Sequence, residues 1–340
     1  MDMTRTFTPR RSFCAGALLG AFALVPAHAQ TTDVAAAMPT TSLTFSAHYV
    51  AEDQGFFKEE GLRVTTSVVS GVGAANAVLS GSVQFSNGSG ITVVRAVARR
   101  QPLVSIGVTL NKPPLEVVLA TQHAERLGIT DDMSIEERAK RMKGLQFGIV
   151  GVNTIPHGYL RYFLRKGGLN PERDVVATPM APPAMLAGLT SGAIHGFVMS
   201  QPWTVMAVQD GSAVRVASSP RGELQELEPT NYNNIIVNRE YCKANADVCR
   251  RILSAYQKSV SFIRDNPEEA SALLRKRFAE MDDAVFEEAF EVIRAGTPAT
   301  TAVSTQALEN DQHFMIETGM MRKDEALASF DVVYTNEYQP

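Results

Sequence analysis

The chain has 340 residues, enough for two domains of ordinary size. Hydrophobic residues make up 45% and charged residues 20%, a balance that excludes a disordered, collagenous or coiled-coil chain. A formal net charge of −4 leaves no electrostatic footprint for nucleic acid. The first thirty residues stand apart. Arg5, Arg10 and Arg11 precede an apolar run over residues 13–25. That run is shorter than the roughly 20 residues a membrane-spanning helix needs, and Ala27-His28-Ala29 supplies a small-x-small cleavage pattern. Residues 1–29 therefore read as a secretory signal peptide. Pro9 stands where a twin-arginine signal usually has Ser or Thr, so Sec and twin-arginine export both stay open. Cys14 opens the apolar run rather than closing it, which argues against a lipid anchor. Cleavage removes three arginines and one aspartate and lowers the net charge to about −6. No later run reaches membrane length, and a protein soluble in the export compartment is expected.

Past the signal, residues 31–39 read as a flexible lead-in and 42–46 as a short strand. A helix over 49–60 follows, with Val50, Phe56 and Phe57 on one apolar side and Gly61 as its stop. Residues 62–69 are rich in β-branched side chains and predict a second strand. A turn at 70–73, a helix at 74–79 and a third strand at 83–86 come next. A second series has helix 135–143, strand 145–150, helix 159–166, strand 175–178, helix 183–190 and strand 194–199. Strands alternating with helices predict parallel sheets with crossover helices, here in two lobes. Leu79-Ser80-Gly81-Ser82-Val83-Gln84 echoes Thr190-Ser191-Gly192-Ala193-Ile194-His195 at equivalent points of the two series. From residue 245 the chain turns helical. Val248, Ile252, Leu253, Tyr256 and Val260 fall at helical spacing, and Pro267-Glu268-Glu269 opens a further helix. Cys242 and Cys249 flank a predicted helix start and are positioned for a local disulfide in an oxidising compartment, the alternative being two buried thiols.

Ligands of open α/β sheets bind outside the carboxyl ends of parallel strands. That rule selects Ser46, His48 and Tyr49 after the first strand, Gly71, Val72 and Gly73 after the second, and Asn87 and Gly88 after the third. In the later series it selects Asn153 and Thr154, then Gln201 and Trp203. Two of these loops open into helices whose free N–H groups suit an anion. None carries an acidic side chain, so the ligand is expected to be neutral or anionic. Lys112 and Arg221 are the nearest basic side chains. Trp203, the single tryptophan, serves either as a ligand wall or as a core anchor. Gly71-x-Gly73 lacks a third glycine at Asn76 and is no dinucleotide fingerprint, and no phosphate loop occurs. His48, His157 and His195 form no metal-ligand spacing, and no Gly-x-Ser-x-Gly elbow or paired carboxylates suggest catalysis. No metal or cofactor and no enzymatic activity are expected.

Residues 49–62, with Gly55-Phe56-Phe57-Lys58-Glu59-Glu60-Gly61-Leu62, resemble the sulfonate/nitrate/taurine-type periplasmic binding proteins of ABC importers, whose superfamily also contains thiamine-precursor binders. Residues 79–85 and 237–241, with Asn266-Pro267-Glu268-Glu269-Ala270, extend the similarity over nearly the whole mature chain. Gln84 and His195 stand where the family usually has Asp, which bears on local capping. The resemblance implies a type II periplasmic-binding-protein fold: two α/β lobes, each a mostly parallel sheet flanked by helices. Residues 40–115 and 238–340 would form lobe 1 and 116–237 lobe 2, with crossings near 113–120 and 233–237. It implies a monomer that captures a small organic anion, such as a sulfonate, taurine or carboxylate, for permease and ATPase subunits. The alternatives are a pyrimidine or thiamine precursor, an aromatic acid, a sensory role, or a same-fold enzyme of thiamine or menaquinone precursor metabolism. The fungal pyrimidine synthase of this fold carries a cysteine-rich motif that is absent here.

Overall fold

The first sheet starts earlier than the sequence suggests. In the structure, a computed structural model describing residues 1–3, 31–69 and 73–340, residues 32–38 form a strand rather than a lead-in. Residues 4–29 of the predicted signal peptide, and Gly71 and Val72 of the predicted site, lie outside the described residues. Strand β1 (Thr32–Met38) is Ala-rich and has little strand propensity of its own. It pairs in parallel with β2 (Leu62–Val68) along its full length and with β3 (Phe85–Gly88) at Ala36 and Ala37. Val34, Ala36, Ala37 and Met38 are buried by this pairing, so packing overrides propensity. The strand expected at 42–46 is instead a 3₁₀ turn, Leu43–Phe45, leading into helix Ser46–Asp53. Ser42 caps the turn, accepting from Thr44 N–H at 3.3 Å, and its own N–H donates to the Tyr49 hydroxyl at 3.2 Å. The helix expected over 49–60 breaks at Gly55, whose φ of +79° is a left-handed value that glycine adopts freely, and resumes as Phe56–Glu59.

The remaining strands are β4 (Leu103–Leu110), β5 (Leu115–Ala120), β6 (Gln146–Ile149), β7 (Val176–Pro179), β8 (Gly196–Ser200), β9 (Ala213–Ser218) and β10 (Asn233–Asn238). Among the described residues two five-stranded sheets result, ordered β2-β1-β3-β10-β4 and β7-β6-β8-β5-β9. Each holds one antiparallel strand, β10 in the first and β5 in the second. Each of these strands is donated by chain that has just left the other sheet. The crossings are residues 111–114 and 219–232. Of the segments expected as crossings, near 113–120 and 233–237, residues 113–114 do cross, while 115–120 and 233–237 are buried strands whose near-continuous apolar runs pack within the sheets. Strand β1 lies ahead of the lobe start expected at residue 40, and β10 lies ahead of the return expected at 238.

The internal echo has a shared structural job. Gln84 Oε1 accepts from Ala35 N–H at 2.7 Å, on the interior strand β1. His195 Nδ1 accepts from Gln146 N–H at 2.9 Å, on the equivalent strand β6. Both residues also donate their own N–H to the carbonyl of the same partner. Gln84 and His195 thus supply an acceptor at matching points of the two sheets.

Helices Ser46–Asp53, Ala246–Asp265, Pro267–Arg277 and Asp283–Gly296 pack on the first sheet, burying Tyr256, Ile252, Leu274 and Phe286 in one apolar cluster. Cys242 and Cys249 are joined in a disulfide within it, their Cα atoms 5.8 Å apart. Helix Thr305–Glu317 does something different: it packs against Gly90–Ala98 of the first lobe and Ile155–Lys166 of the second. Gly158 makes that approach possible, since a Cβ there would lie 2.6 Å from Met320 Sδ and 2.8 Å from Phe314 Cζ. Past this helix the chain pairs Tyr334 with Ser105 on β4, covering the edge of the first sheet. Among the described residues no helix is long and apolar enough to cross a membrane.

Candidate functional site

A cleft of about 790 Å³ lies between the lobes. The first lobe contributes residues 39–45, Gly88 and Ser89, Asn233 and the segment 277–285 except Ala279, Asp283 and Ala284; the second contributes Ile155, Pro182 and residues 199–206 except Gln201, Thr204 and Val205, with Tyr232 from the crossing. Leu43, Phe45, Ile155, Met199, Trp203, Met206, Tyr232, Phe278 and Met281 make the lining predominantly apolar. Trp203 is both wall and anchor: it lines the cleft and packs on the small cluster around Met185, Phe197 and Ala207.

Of the residues selected from the sequence, Gly88 and Trp203 line this cleft. The other described ones sit behind its wall or away from it. Ser46 is buried and donates its hydroxyl to Leu43 O at 2.5 Å. His48 is fully buried: Nδ1 lies 2.7 Å from the Tyr256 hydroxyl, and Nε2 lies 2.8 Å from Thr66 Oγ1 and 3.1 Å from Glu52 Oε1. Asn87 Nδ2 donates to the same Tyr256 hydroxyl at 2.8 Å. Both residues were expected in loops, but the shifted strand boundaries set them in a helix and a strand, where internal partners consume their polar atoms. Tyr49 is also buried, its ring 4.8 Å beneath the Arg277 guanidinium. Gly73 begins a seven-residue helix, Gly73–Leu79, with Val69 against it. Asn153 has a positive φ of 58°, and its Oδ1 accepts from Arg161 at 3.2 Å. Thr154 caps helix Ile155–Lys166. Gln201 is 2% exposed, and neither its Oε1 nor its Nε2 finds a partner.

The helix N-termini described at the cleft offer few free donors, and residues 71 and 72 of the other loop expected to supply them lie outside the described residues. Gly90 N–H donates to Asn231 O at 2.9 Å and Ile91 N–H to Ser89 Oγ at 3.2 Å. Asn153 N–H is taken by His157 Nδ1 at 3.1 Å. Burial, with Arg161 nearby, holds His157 down at about 4, so its ring is neutral and able to accept at ordinary pH. Helix Pro182–Ser191 opens with two prolines, which carry no N–H. Asp282 accepts from Ala284 and Val285 N–H at the start of helix Asp283–Gly296.

Sequence reasoning also missed the charged part of the lining. Lys112 pairs with Glu228 at 3.6 Å, and neither it nor Arg221 lines the cleft. Arg277, Glu280 and Asp282 do. They end or follow helix Pro267–Arg277, far in sequence from every strand end, so no strand-end rule finds them. Arg277 donates from Nε to Asp53 at 2.6 Å and from Nη2 to Asp53 and Glu52 at 2.6 and 2.8 Å. Burial pushes the Glu52 carboxyl up, but hydrogen bonds from His48 and Thr66 and the Arg277 charge outweigh it and bring it to about 2. Glu52 is therefore firmly ionised at neutral pH.

The pattern of the NMT1-like family matches residues 33–276. A nitrate/nitrite binding protein of Nostoc sp. is 29% identical over 128 residues, covering 36% of this chain and 27% of that protein. The chain thus spans about a quarter of the length of the first such relatives. A putative binding protein of Bacillus subtilis is 24% identical over 290 residues, covering 82% of this chain and 81% of that one. Among solved structures, a Bordetella bronchiseptica protein superposes with a TM-score of 0.74 at 18% identity, covering 90% of this chain and 95% of that one. The alkanesulfonate-binding protein of Xanthomonas axonopodis pv. citri, bound to MOPS, gives 0.67 at 16% identity, covering 90% and 100%. At these identities the structural likeness speaks for the fold: two lobes of the periplasmic-binding-protein kind.

Proposed function

Because the chain belongs to the NMT1-like family, we propose that it is the substrate-binding component of an ABC importer. On this reading it is exported by residues 1–29 and works in the periplasm as a monomer. Its cleft closes on one small molecule, and the closed form is handed to permease and ATPase subunits. The lobes meet at the crossings 111–114 and 219–232, and the chain carries out no catalysis. Relatives bearing the names of nitrate-binding and other binding proteins support a binding role over an enzymatic one.

The ligand is a compact organic molecule with an apolar, ring-bearing body. The observation that carries this is the lining around Trp203, where Phe45, Tyr232, Phe278, Met206 and Met281 surround a volume far larger than a bare oxyanion needs. An inorganic anion or taurine would leave most of that apolar surface wet. A sulfonate or carboxylate on a larger apolar body is the second reading, favoured by Arg277 in the lining.

Trp203 is the single tryptophan, so its emission reports on the cleft alone. Mature protein freed of carried-over ligand is screened for emission change and thermal shift against aromatic amides, pyrimidines, aromatic acids, alkanesulfonates, taurine, nitrate and bicarbonate. A ring compound at a hundredfold excess over its dissociation constant should stabilise the fold by about 2.7 kcal/mol. Trp203→Ala should weaken that binding by about tenfold or more. Response to nitrate, bicarbonate or taurine alone would overturn the reading.

A further inference from the structure

Three of the residues singled out in the sequence, His48, Tyr49 and Asn87, lie behind the cleft wall and converge on one atom group in it. Asn87 and His48 meet at the Tyr256 hydroxyl. His48 reaches Thr66 and Glu52, and Thr66 donates to Glu52 at 2.7 Å. Glu52 and Asp53 then grip the Nε and Nη2 edge of Arg277, whose guanidinium lies over the Tyr49 ring. A fork held on one edge by two carboxylates and stacked on an aromatic face keeps little freedom. Its Nη1 donates to no described residue, while Arg277 itself lines the cleft. It is the only Lys or Arg in that lining among the described residues.

Charge decides what this donor selects. Glu52 and Asp53 compensate the guanidinium twice over, and Glu280 and Asp282 add two further carboxylates to the lining. Arg275, on the same helix, is engaged with Asp283 and with the Phe278 and Met281 carbonyls. A carboxylate or sulfonate brought to Nη1 meets a local excess of negative charge, whereas a neutral oxygen takes the hydrogen bond without that repulsion.

Resting on the cleft reading above, we infer that Arg277 is the specificity-determining donor of the cleft, pre-positioned by Glu52, Asp53 and Tyr49, and that it selects ring compounds bearing a neutral carbonyl-type acceptor over the corresponding acids. The ligand class is thus an aromatic or heteroaromatic amide or lactam. The network from Asn87 to Glu52 acts through Arg277 and never touches the ligand.

The test uses matched pairs that differ only in this group: benzamide with benzoate, nicotinamide with nicotinate, picolinamide with picolinate. Affinities of the mature protein are measured by calorimetry at neutral pH and low salt. At least one amide should bind about tenfold more tightly than its acid. Arg277→Ala should weaken that amide by about tenfold to a hundredfold, and Glu280→Gln should narrow the gap to the acid. Melting temperatures without ligand report whether each variant folds. Arg277→Lys, which keeps the charge and loses the fork, should lose most of the amide preference even if Arg277→Ala is unstable. Acids that bind as well as their amides, or amide binding indifferent to both Arg277 variants, would overturn this inference and leave the apolar-cleft reading standing. No response to any ring compound overturns both.

Discussion

Asp311, on helix Thr305–Glu317, is 3% exposed and accepts from Thr230 Oγ1, from Asn231 N–H at 3.1 Å and from Asn231 Nδ2 at 3.4 Å. Those partners belong to the second crossing between the lobes. Burial pushes its pKa from an ordinary 3.8 up to about 6, against the three hydrogen bonds. Between those values the folded chain keeps a proton that the unfolded chain has released. Stability therefore falls as pH rises from about 4 to about 6, by up to about 3 kcal/mol in total, and the contribution is flat outside that window. Urea unfolding at several pH values should show this slope in the wild type and its loss in Asp311→Asn; equal slopes would refute it. At this scale the sequence was legible in type and not in role. His48, Tyr49 and Asn87 are polar residues tied to one site, yet they act as a backing shell, because a one- or two-residue error in a strand boundary moves a side chain from loop to interior. Gln84 and His195 each accept from a strand N–H at matching points of the two sheets.

Among the elements, the long helix Ala246–Asp265 was the most legible, since Val248, Ile252, Leu253, Tyr256 and Val260 repeat at helical spacing and all five are buried. Strand β1 was the least legible: three consecutive alanines carry no strand signal, and only its position between β2 and β3 makes them extended. Strands β5 and β10 were read as crossings because a continuous apolar run beside a proline or asparagine does not announce which sheet it will join. The disulfide fastens helix Arg239–Ala244 to the start of Ala246–Asp265 across a seven-residue separation. A loop this short implies about 2 kcal/mol of stabilisation through the unfolded chain. The double variant Cys242→Ala with Cys249→Ala should lose about that much in urea unfolding, and a reductant should lower the wild type to the same level. An unchanged midpoint would show that the bond contributes nothing.

Across the whole molecule, the lobes touch away from the crossings as well. Glu288 of helix Asp283–Gly296, packed on the first sheet, pairs with Arg215 of β9 and accepts from Gln209 at 3.3 Å. Arg215 is backed at 2.8 Å by Glu116 of β5. Glu288→Ala removes the cross-lobe half of this cluster and leaves the buried half intact. With Glu288 partly exposed, the loss is about 0.5–1 kcal/mol, enough to weaken ligand binding by about two- to fivefold if closure uses it. Small-angle scattering of the ligand-free variant should give a larger radius of gyration than the wild type; an unchanged radius would remove the pair from the closing motion. The reciprocal exchange of strands has a further consequence, in time rather than in space. All five strands of the second sheet lie in one uninterrupted stretch, from Leu115 to Ser218. The first sheet, by contrast, has a gap beside β3 until Asn233–Asn238 is made, and an open edge until Tyr334 reaches Ser105. Closing loops of that length is slow and entropically costly. As the chain emerges, the second lobe can therefore settle first, and the first lobe stays unfinished until Tyr334 has arrived.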